Sequence, residues 1–328
     1  MTALAPVLEA FFTDRLAQRR ASSHTVASYR DTLCLLLRYA ERQLGTPPSS
    51  LDLTDVDAPF VGSFLNHLEH ERGNSLSTRN NRLAAIHALF RYAALRCPEH
   101  AALITRVLAI PPKRGDSTIV CFLSRPEIDA LLASPDRASF LGRRDHALLL
   151  TAVQTGMRVA ELTGLTCADT EFGPAATLHC LGKGRKHRSV PLTRPTARLL
   201  RDWLDERHAA ATDPLFPNRA GGRLSTDAVA DLLTKHVATA AQQCPTLASK
   251  TVSPHTLRHS CAMNLLRAGV DLATIALWLG HATTKATGVY LHADLTLKQQ
   301  ALARTAPPTI GRRRYKPSDA VLTFLEAL

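Results

Sequence analysis

The chain has 328 residues, of which 40 are Lys or Arg and 28 are Asp or Glu, a formal net charge of +12. That length suffices for two domains with cores of their own, since single cores seldom grow far beyond about 250 residues, and the positive excess points to a polyanion such as nucleic acid ahead of a membrane surface. No run approaches about 18 apolar residues, and the opening MTALAPVLEAFFTDR carries Glu9 and Asp14 with no basic leader, so neither a membrane span nor a secretory signal is expected and the protein is placed in the cytoplasm.

Residues 1–109 read as helix after helix: Ala5–Arg19, Thr25–Gln43, Val56–Glu71, Thr78–Leu95 and a short Ala101–Leu108, with Ser23, Asp55 and Ser77 where caps belong. In the last long helix Leu83, Ile86, Leu89, Phe90 and Ala93 form an apolar stripe, while Arg79, Asn80, Arg82 and Arg91 lie on other faces. Charge alone does not make that a binding face, because residues 1–110 carry 12 basic and 10 acidic side chains, against 24 and 16 in residues 111–310. The stretch 110–118, IPPKRGDST, has paired prolines, a glycine and the basic Lys113 and Arg114, and reads as a linker.

Beyond it, Ile119–Leu123 is a short β-branched and aromatic run expected as a strand, and Ser124-x-x-Glu127 has capping-box spacing that opens a helix to Leu132. Asp145–Gln154 reads as a buried helix broken at Gly156. A new helix starting near Met157 sets Arg158 at a helix N-terminus, where an anion is welcome, with Glu161 one turn on to hold its guanidinium. In isolation that pair is equally a surface i,i+3 ion pair. Ala176–Leu181 and Arg188–Leu192 alternate as two strands, with Gly182, Gly184 and the basic run Lys183, Arg185, Lys186, His187 and Arg188 making the turn, a tip able to enter a minor groove; without context KGRKHR is equally a solvated basic loop. Helices follow at Thr196–Ala210 and Thr226–Ala241, with Phe216 anchoring the loop between them. Seven cysteines, Cys34, Cys97, Cys121, Cys167, Cys180, Cys244 and Cys261, are odd in number and form no C-x-x-C pair, so they read as buried reduced thiols rather than a disulfide framework or zinc knuckle.

The richest stretch is 253–292. Ser253 and Pro254 read as N-cap and first residue of a helix on which His255, Arg258 and His259 share a face, with Arg258 able to fork onto two phosphate oxygens. Met263, Leu265 and Leu266 pack its other side. Gly269 ends it, Asp271 caps Leu272–Leu279, and Gly280 leaves His281 at a helix C-terminus. Thr283 or Thr284 caps a last short helix carrying Tyr290.

HTLRH, then LGH, then a tyrosine nine residues on resembles the tyrosine recombinase (phage integrase) family. TGMRVAELTGL at 155–165 resembles that family's first-arginine box, with Arg158 and its acidic companion Glu161. LGKGRKHRSVPL at 181–192 resembles the hairpin that carries the catalytic lysine, here Lys183. The resemblance spans essentially the whole chain. It implies a mainly α fold with a small β-sheet: a helical DNA-clamping (core-binding) domain at 1–109, the linker 110–118, a catalytic domain at 119–310, and a basic strap GRRRYK with a final helix at 311–328. Ser318 would cap that helix, and Ala320, Val321, Phe324, Leu325 and Leu328 form a stripe that the family docks into a neighbouring subunit.

By the same resemblance the chain is a site-specific DNA recombinase working through a 3′-phosphotyrosyl intermediate. Tyr290 is the nucleophile, His255 the acceptor of its proton, Arg158 and Arg258 the grip on the phosphate oxygens, His281 a further donor and Lys183 the acid for the leaving oxygen. Arg79, Arg82, Lys113, Arg114, Arg185 and Lys186 are the expected DNA contacts. No cofactor or metal is implied, and there is no Walker motif, no H-E-x-x-H and no acidic cluster for Mg²⁺. His255 and His259 have metal-ligand spacing, but no Glu follows the first and Arg258 would repel a cation. The implied partners are double-stranded DNA and further copies of the chain, a tetramer on two DNA sites, with an accessory DNA-bending or directionality protein as an option and a nucleoid location. A type IB topoisomerase-like swivelase with the same chemistry, or a DNA-binding protein that has lost catalysis, are the competing readings. Gly288, two residues before Tyr290, departs from the family's bulkier residue.

Overall fold

The computed structural model describes residues 2–18, 21–115, 120–182, 186–281, 287, 288, 290, 320–325 and 327. They belong to two compact units, Met1–Ser117 and Thr118–Leu328. Among the described residues the chain is mainly helical, with one three-stranded antiparallel sheet, and no helix is long and apolar enough to cross a membrane.

In the first unit α1 (Leu4–Ala10) runs into a π-helical turn, Phe11–Leu16, and is followed by α2 (Ser23–Leu44), α3 (Ala58–His70), α4 (Leu76–Ala93) and α5 (Ala101–Leu108). The caps differ from those expected. Ser22, not Ser23, accepts the Thr25 amide, and Ser75, not Ser77, accepts that of Thr78, each at 3.2 Å. In both, the cap hydroxyl also meets the threonine hydroxyl three residues on. The same S/T-x-x-T pairing recurs at Thr193 with Thr196 and at Ser253 with Thr256, so in this chain it marks helix starts. Asp57 caps α3 through the Phe60 amide, because Asp55 is spent on the Asp52 amide in the preceding turn.

The α4 stripe Leu83, Ile86, Leu89, Phe90 and Ala93 is buried with Leu33 and Leu36 of α2 and Phe64 and Leu65 of α3, each large side chain contributing about 1.5–3 kcal/mol. Arg79, expected on an open face, is only 5% exposed and donates to Asn80 Oδ1 and the Pro111 carbonyl. Arg82 is half-buried and donates to Thr32. The first half of the expected linker is fastened to this unit. Asn80 exchanges two hydrogen bonds with the Lys113 backbone, and Lys113 Nζ lies 2.7 Å from Glu69. Arg114 is exposed.

The second unit is built on α7 (Phe140–Thr155), which begins five residues before the expected Asp145 because Ser139 caps it through the Gly142 amide. Ala147, Leu148, Leu149 and Ala152 bury it in the core. Around it lie α6 (Arg125–Ala133), opened by the Ser124/Glu127 capping box, then α8 (Val159–Gly164), α9 (Arg194–Arg207), α10 (Thr226–Ala241), α11 (Pro254–Arg267) and α12 (Leu272–Leu279). Strands β1 (Thr170–Glu171), β2 (Thr177–Gly182) and β3 (Lys186–Pro191) pair in order, Leu178 opposite Val190 and Cys180 opposite Arg188.

Val120–Leu123 forms no strand. Its apolar run is used against α11 instead, where the Leu123 amide donates to Ser260. All seven cysteines are free, but only Cys97, Cys180 and Cys261 are buried. Cys34 and Cys121 are exposed, contrary to expectation, and Cys167 and Cys244 lie between. A terminal helix, Ala320–Leu325, has Phe324 and Leu325 exposed. Residues 311–316, Ser318 and Leu328 lie outside the described residues.

Candidate active site

Gly156 ends α7 with φ 62°, a left-handed conformation that favours glycine. A Cβ there would sit 2.6 Å from Leu279 and 3.1 Å from the Cys261 sulfur, so this turn passes hard against α11 and α12. Two residues later Arg158 is the N-cap of α8 rather than a residue inside it. Its amide donates to Glu161 Oε2 at 2.9 Å and its Nη1 to Oε1 at 2.7 Å, so Glu161, buried on α8, fixes both ends of the arginine.

The end of α12 organises the rest. A helix C-terminus leaves its last carbonyls without intrahelical donors, and here every one is accounted for. Ala276 O accepts from the His281 amide and Leu277 O from the Gly280 amide, the reversal that Gly280 permits at φ 64°. The next three carbonyls each take a guanidinium: Trp278 from Arg188, Leu279 from Arg258 at 2.6 Å, and Gly280 from Arg158 at 3.2 Å. Arg258 also donates to the Gly156 carbonyl at 2.7 Å, joining the C-terminal turn of α7 to that of α12. Because successive residues are about 3.8 Å apart, three arginines from α8, β3 and α11 converge on one turn. Cations are favoured there by the helix dipole.

Among the described residues a single carboxylate, Glu161, balances them, meeting Arg158 and, at 2.6 Å, Arg188. Burial pushes the Glu161 carboxyl up, but the Arg158 amide and both guanidiniums outweigh it and hold the group below the ordinary range. Arg258 is 4% exposed. Burial, then the neighbouring Arg158, lowers it to about 10, so it stays charged at neutral pH. His281 is pushed down to about 4 by burial and then by Arg258, Arg158 and Arg188. It is therefore neutral at pH 7, with Nδ1 2.8 Å from the Thr287 hydroxyl. Among the described residues three guanidiniums, one carboxylate and a neutral imidazole leave a net charge of +2 on protein anchors, and a guanidinium's five N–H donors leave Arg158 and Arg258 more than the two they use here.

Tyr290 lies in the same region, 1% exposed, among Ala262, Met263, Leu266, Ile275 and Leu279. Its hydroxyl is 3.0 Å from His259 Nδ1. His255, the expected acceptor of its proton, is exposed one turn earlier, its ring 6.4 Å from that of His259. Burial raises the phenol pKa against the lowering influence of Arg258. Burial, then His255 and Arg258, lowers that of His259. The resting pair is a neutral phenol on a neutral imidazole.

The structure thus brings together Arg158, Glu161, Arg258, His281 and Tyr290 with His255 at the edge. Lys183 and Arg185 lie outside the described residues, and of Lys186 only the backbone, paired with Gly182, is described. Arg79, Arg82 and Lys113 belong to the first unit, each engaged with protein groups.

Two residues of the site escaped the sequence reading. Arg188 was one more charge in the run KGRKHR, although its place two residues before the buried Val190 puts it on the inward side of β3. His259 was set on the right helix face but given no partner, since nothing in the sequence chooses between two imidazoles one turn apart.

The model of the phage integrase family matches residues 122–296, and that of the phage integrase N-terminal SAM-like domain matches residues 8–96. The chain belongs to the phage integrase family. It is 52% identical over 326 residues, 99% of this chain and 98% of the other, to the Sinorhizobium fredii protein y4rC, which carries the name integrase/recombinase. It is 32% identical over 306 residues, 92% and 96% of the two chains, to the tyrosine recombinase XerC of Pelobacter propionicus. Among solved structures, the XerH site-specific recombinase bound to palindromic difH substrate in a post-cleavage complex superposes with a TM-score of 0.71 at 25% identity, covering 87% of this chain and 81% of that one. This phage integrase family member is accordingly an enzyme, a tyrosine-type site-specific recombinase.

Proposed function

We propose that the chain cuts and rejoins duplex DNA through a 3′-phosphotyrosyl intermediate, exchanging strands between two sites in integration, excision, resolution or transposition. The observation that carries the reading is the convergence of Arg158 and Arg258 on the end of α12 beside the buried phenol of Tyr290. XerH is similar in fold and was solved on its DNA substrate, which supports DNA as the partner here.

In this reading the scissile phosphate settles on the arginine corner, where Arg158 and Arg258 each present free N–H groups and neutral His281 offers another donor. Bound phosphate offsets the mutual repulsion of the guanidiniums. The Tyr290 oxygen attacks phosphorus, its proton passes to an imidazole, and the P–O5′ bond breaks as the leaving oxygen takes a proton from Lys183. The geometry favours His259 Nδ1 as first acceptor over His255. The new ester conserves the energy of the broken one, so a returning 5′-hydroxyl rejoins the strand without ATP.

The organisation into a clamping domain at 1–109, a linker at 110–118, a catalytic domain at 119–310 and a strap with terminal helix at 311–328 belongs to the same proposal. So do a tetramer on two sites, aided where needed by an accessory DNA-bending or directionality protein, and a nucleoid location. Exposed Phe324 and Leu325, and Leu277 at 80% exposure on α12, support docking of the terminal helix on a neighbouring copy. DNA contacts by Arg114, Arg185 and Lys186 remain part of it, as do those by Arg82 and Lys113 once their present partners exchange for phosphate. Arg79 serves the fold of the first unit instead.

Tyr290→Phe tests the reading. The variant should retain DNA binding and give no denaturant-resistant protein–DNA adduct on trapped fragments of the host replicon. An adduct that persists in the variant rejects Tyr290 as nucleophile, and relaxation of plasmid lacking any specific site would favour a swivelase.

A further inference from the structure

The roles above leave Arg188 unused, yet its guanidinium joins three elements of the site. It reaches from β3 to the Glu161 carboxylate on α8, 2.6 Å from Oε2, and to the Trp278 carbonyl at the end of α12. We propose that Arg188 is a positioning residue for strand cleavage, holding Glu161, and through it Arg158, in register with the α12 turn that also carries Arg258 and His281. The inference rests on the phosphotyrosyl reading.

Three observations carry it. First, its two terminal nitrogens reach two other elements, one the Glu161 carboxylate on α8 and the other the Trp278 carbonyl at the end of α12, so one side chain ties β3, α8 and α12 at a single point. Second, the backbone is shaped to admit it. Gly280 lies against its side chain, and a Cβ there would fall 3.0 Å from Arg188 Cδ and 3.3 Å from Nε. Third, it stands on β3, where Lys186 pairs with Gly182 of β2 and Arg188 pairs with Cys180 in the same ladder. Arg188 is thus a direct tie between the β2–β3 ladder and the corner that would hold the phosphate.

Glu161 explains why a guanidinium is required. The carboxylate has one oxygen on the Arg158 guanidinium and the other on Arg188 and the Arg158 amide. A planar fork can bridge that oxygen and the Trp278 carbonyl together. A lysine ammonium at 188 keeps the charge but lacks the spread and the fixed geometry. The expected defect is therefore in alignment, with the field drawing in a polyanion largely intact.

The test uses the full chain and a tiled set of nicked duplexes spanning the replicon that encodes it, on which a cleaved strand cannot be resealed. For each variant the single-turnover rate of denaturant-resistant adduct formation is measured separately from the dissociation constant for the same duplex, with the melting temperature recorded alongside. Arg188→Lys should form adduct about 100-fold more slowly, the scale of a small misplacement of reacting groups, with DNA affinity and melting temperature little changed. Arg188→Ala should regain rate when guanidinium ion is added at concentrations that do not unfold the protein, and methylammonium should not substitute. A Lys variant with wild-type rate, or a loss of rate matched by equal losses of affinity and melting temperature, would overturn the positioning role. Failure of the wild-type chain to form adduct on any duplex would instead remove the phosphotyrosyl reading, and this inference with it.

Discussion

Arg258 and Tyr290 are both almost wholly buried, at 4% and 1% exposure, in one site, yet they are held in opposite ways. Arg258 is fixed by main-chain carbonyls at the ends of two helices, and its neighbours Arg158 and Arg188 are fixed to the same turn. Among the described residues Tyr290 has one side-chain hydrogen bond, to His259, and packs against an apolar cluster. The arginine half is therefore held by main-chain carbonyls and cannot move without moving helices. The phenol half is a buried group held mainly by apolar packing. A cluster of like charges is costly to assemble, and helix ends supply the countering dipole; a phenol costs little to bury and needs no such frame.

The sharpest way to break this contrast is to remove the one carboxylate of the rigid half. Glu161→Gln leaves Arg158 and Arg188 facing a neutral amide, and thermal or urea unfolding should show a loss of about 3 kcal/mol, the scale of a broken buried ion pair. An unchanged midpoint would mean that the three carbonyls alone hold the arginines. Gly156→Ala is next. The residue sits at φ 62° with a Cβ 2.6 Å from Leu279, so unfolding should show about 2 kcal/mol of destabilisation from backbone strain and crowding.

Protonation of His281 probes the same half more gently. Its folded pKa, about 4, lies below its ordinary value of 6.5, so between those values the unfolded chain binds more protons and stability rises with pH. Acidification through that window should lower the melting temperature, and His281→Gln should show a shallower fall over the same range. Equal slopes would show that burial and the neighbouring arginines do not hold the histidine neutral. The smallest effect is expected in the phenol half. A Cβ at Gly288 meets nothing within 4 Å, so Gly288→Ala should change unfolding free energy by less than about 0.5 kcal/mol and leave adduct formation in place. Loss of cleavage in that variant would show that the phenol segment, too, needs a special backbone.

This division also explains what could be read from residues alone. Arg158, Arg258 and His281 were singled out because TGMRVAELTGL, HTLRH and LGH resemble the family's motifs, and each also stands beside a local signal: a capping residue, a Ser-Pro helix start, or a glycine that ends a helix. The first unit's helices were legible from the burial period of α4, although the caps slipped by one or two residues where two serines or aspartates lay close together. Arg188 was hidden because its partners lie on α8 and α12, far away in sequence, and charge in a basic run carries no direction. The burial of Arg79 was hidden for the same reason, since its acceptor is the Pro111 carbonyl beyond the end of α5. The choice of His259 over His255 depends on where Tyr290 returns to α11, which no local pattern states.

The most direct measurement is to digest a trapped protein–DNA adduct with protease and nuclease and to identify the modified residue and the DNA end by mass spectrometry. The account predicts a nucleotide linked through its 3′-phosphate to the peptide containing Tyr290, with a free 5′-hydroxyl on the other strand end. A link to any other residue, or a link through a 5′-phosphate, would contradict it.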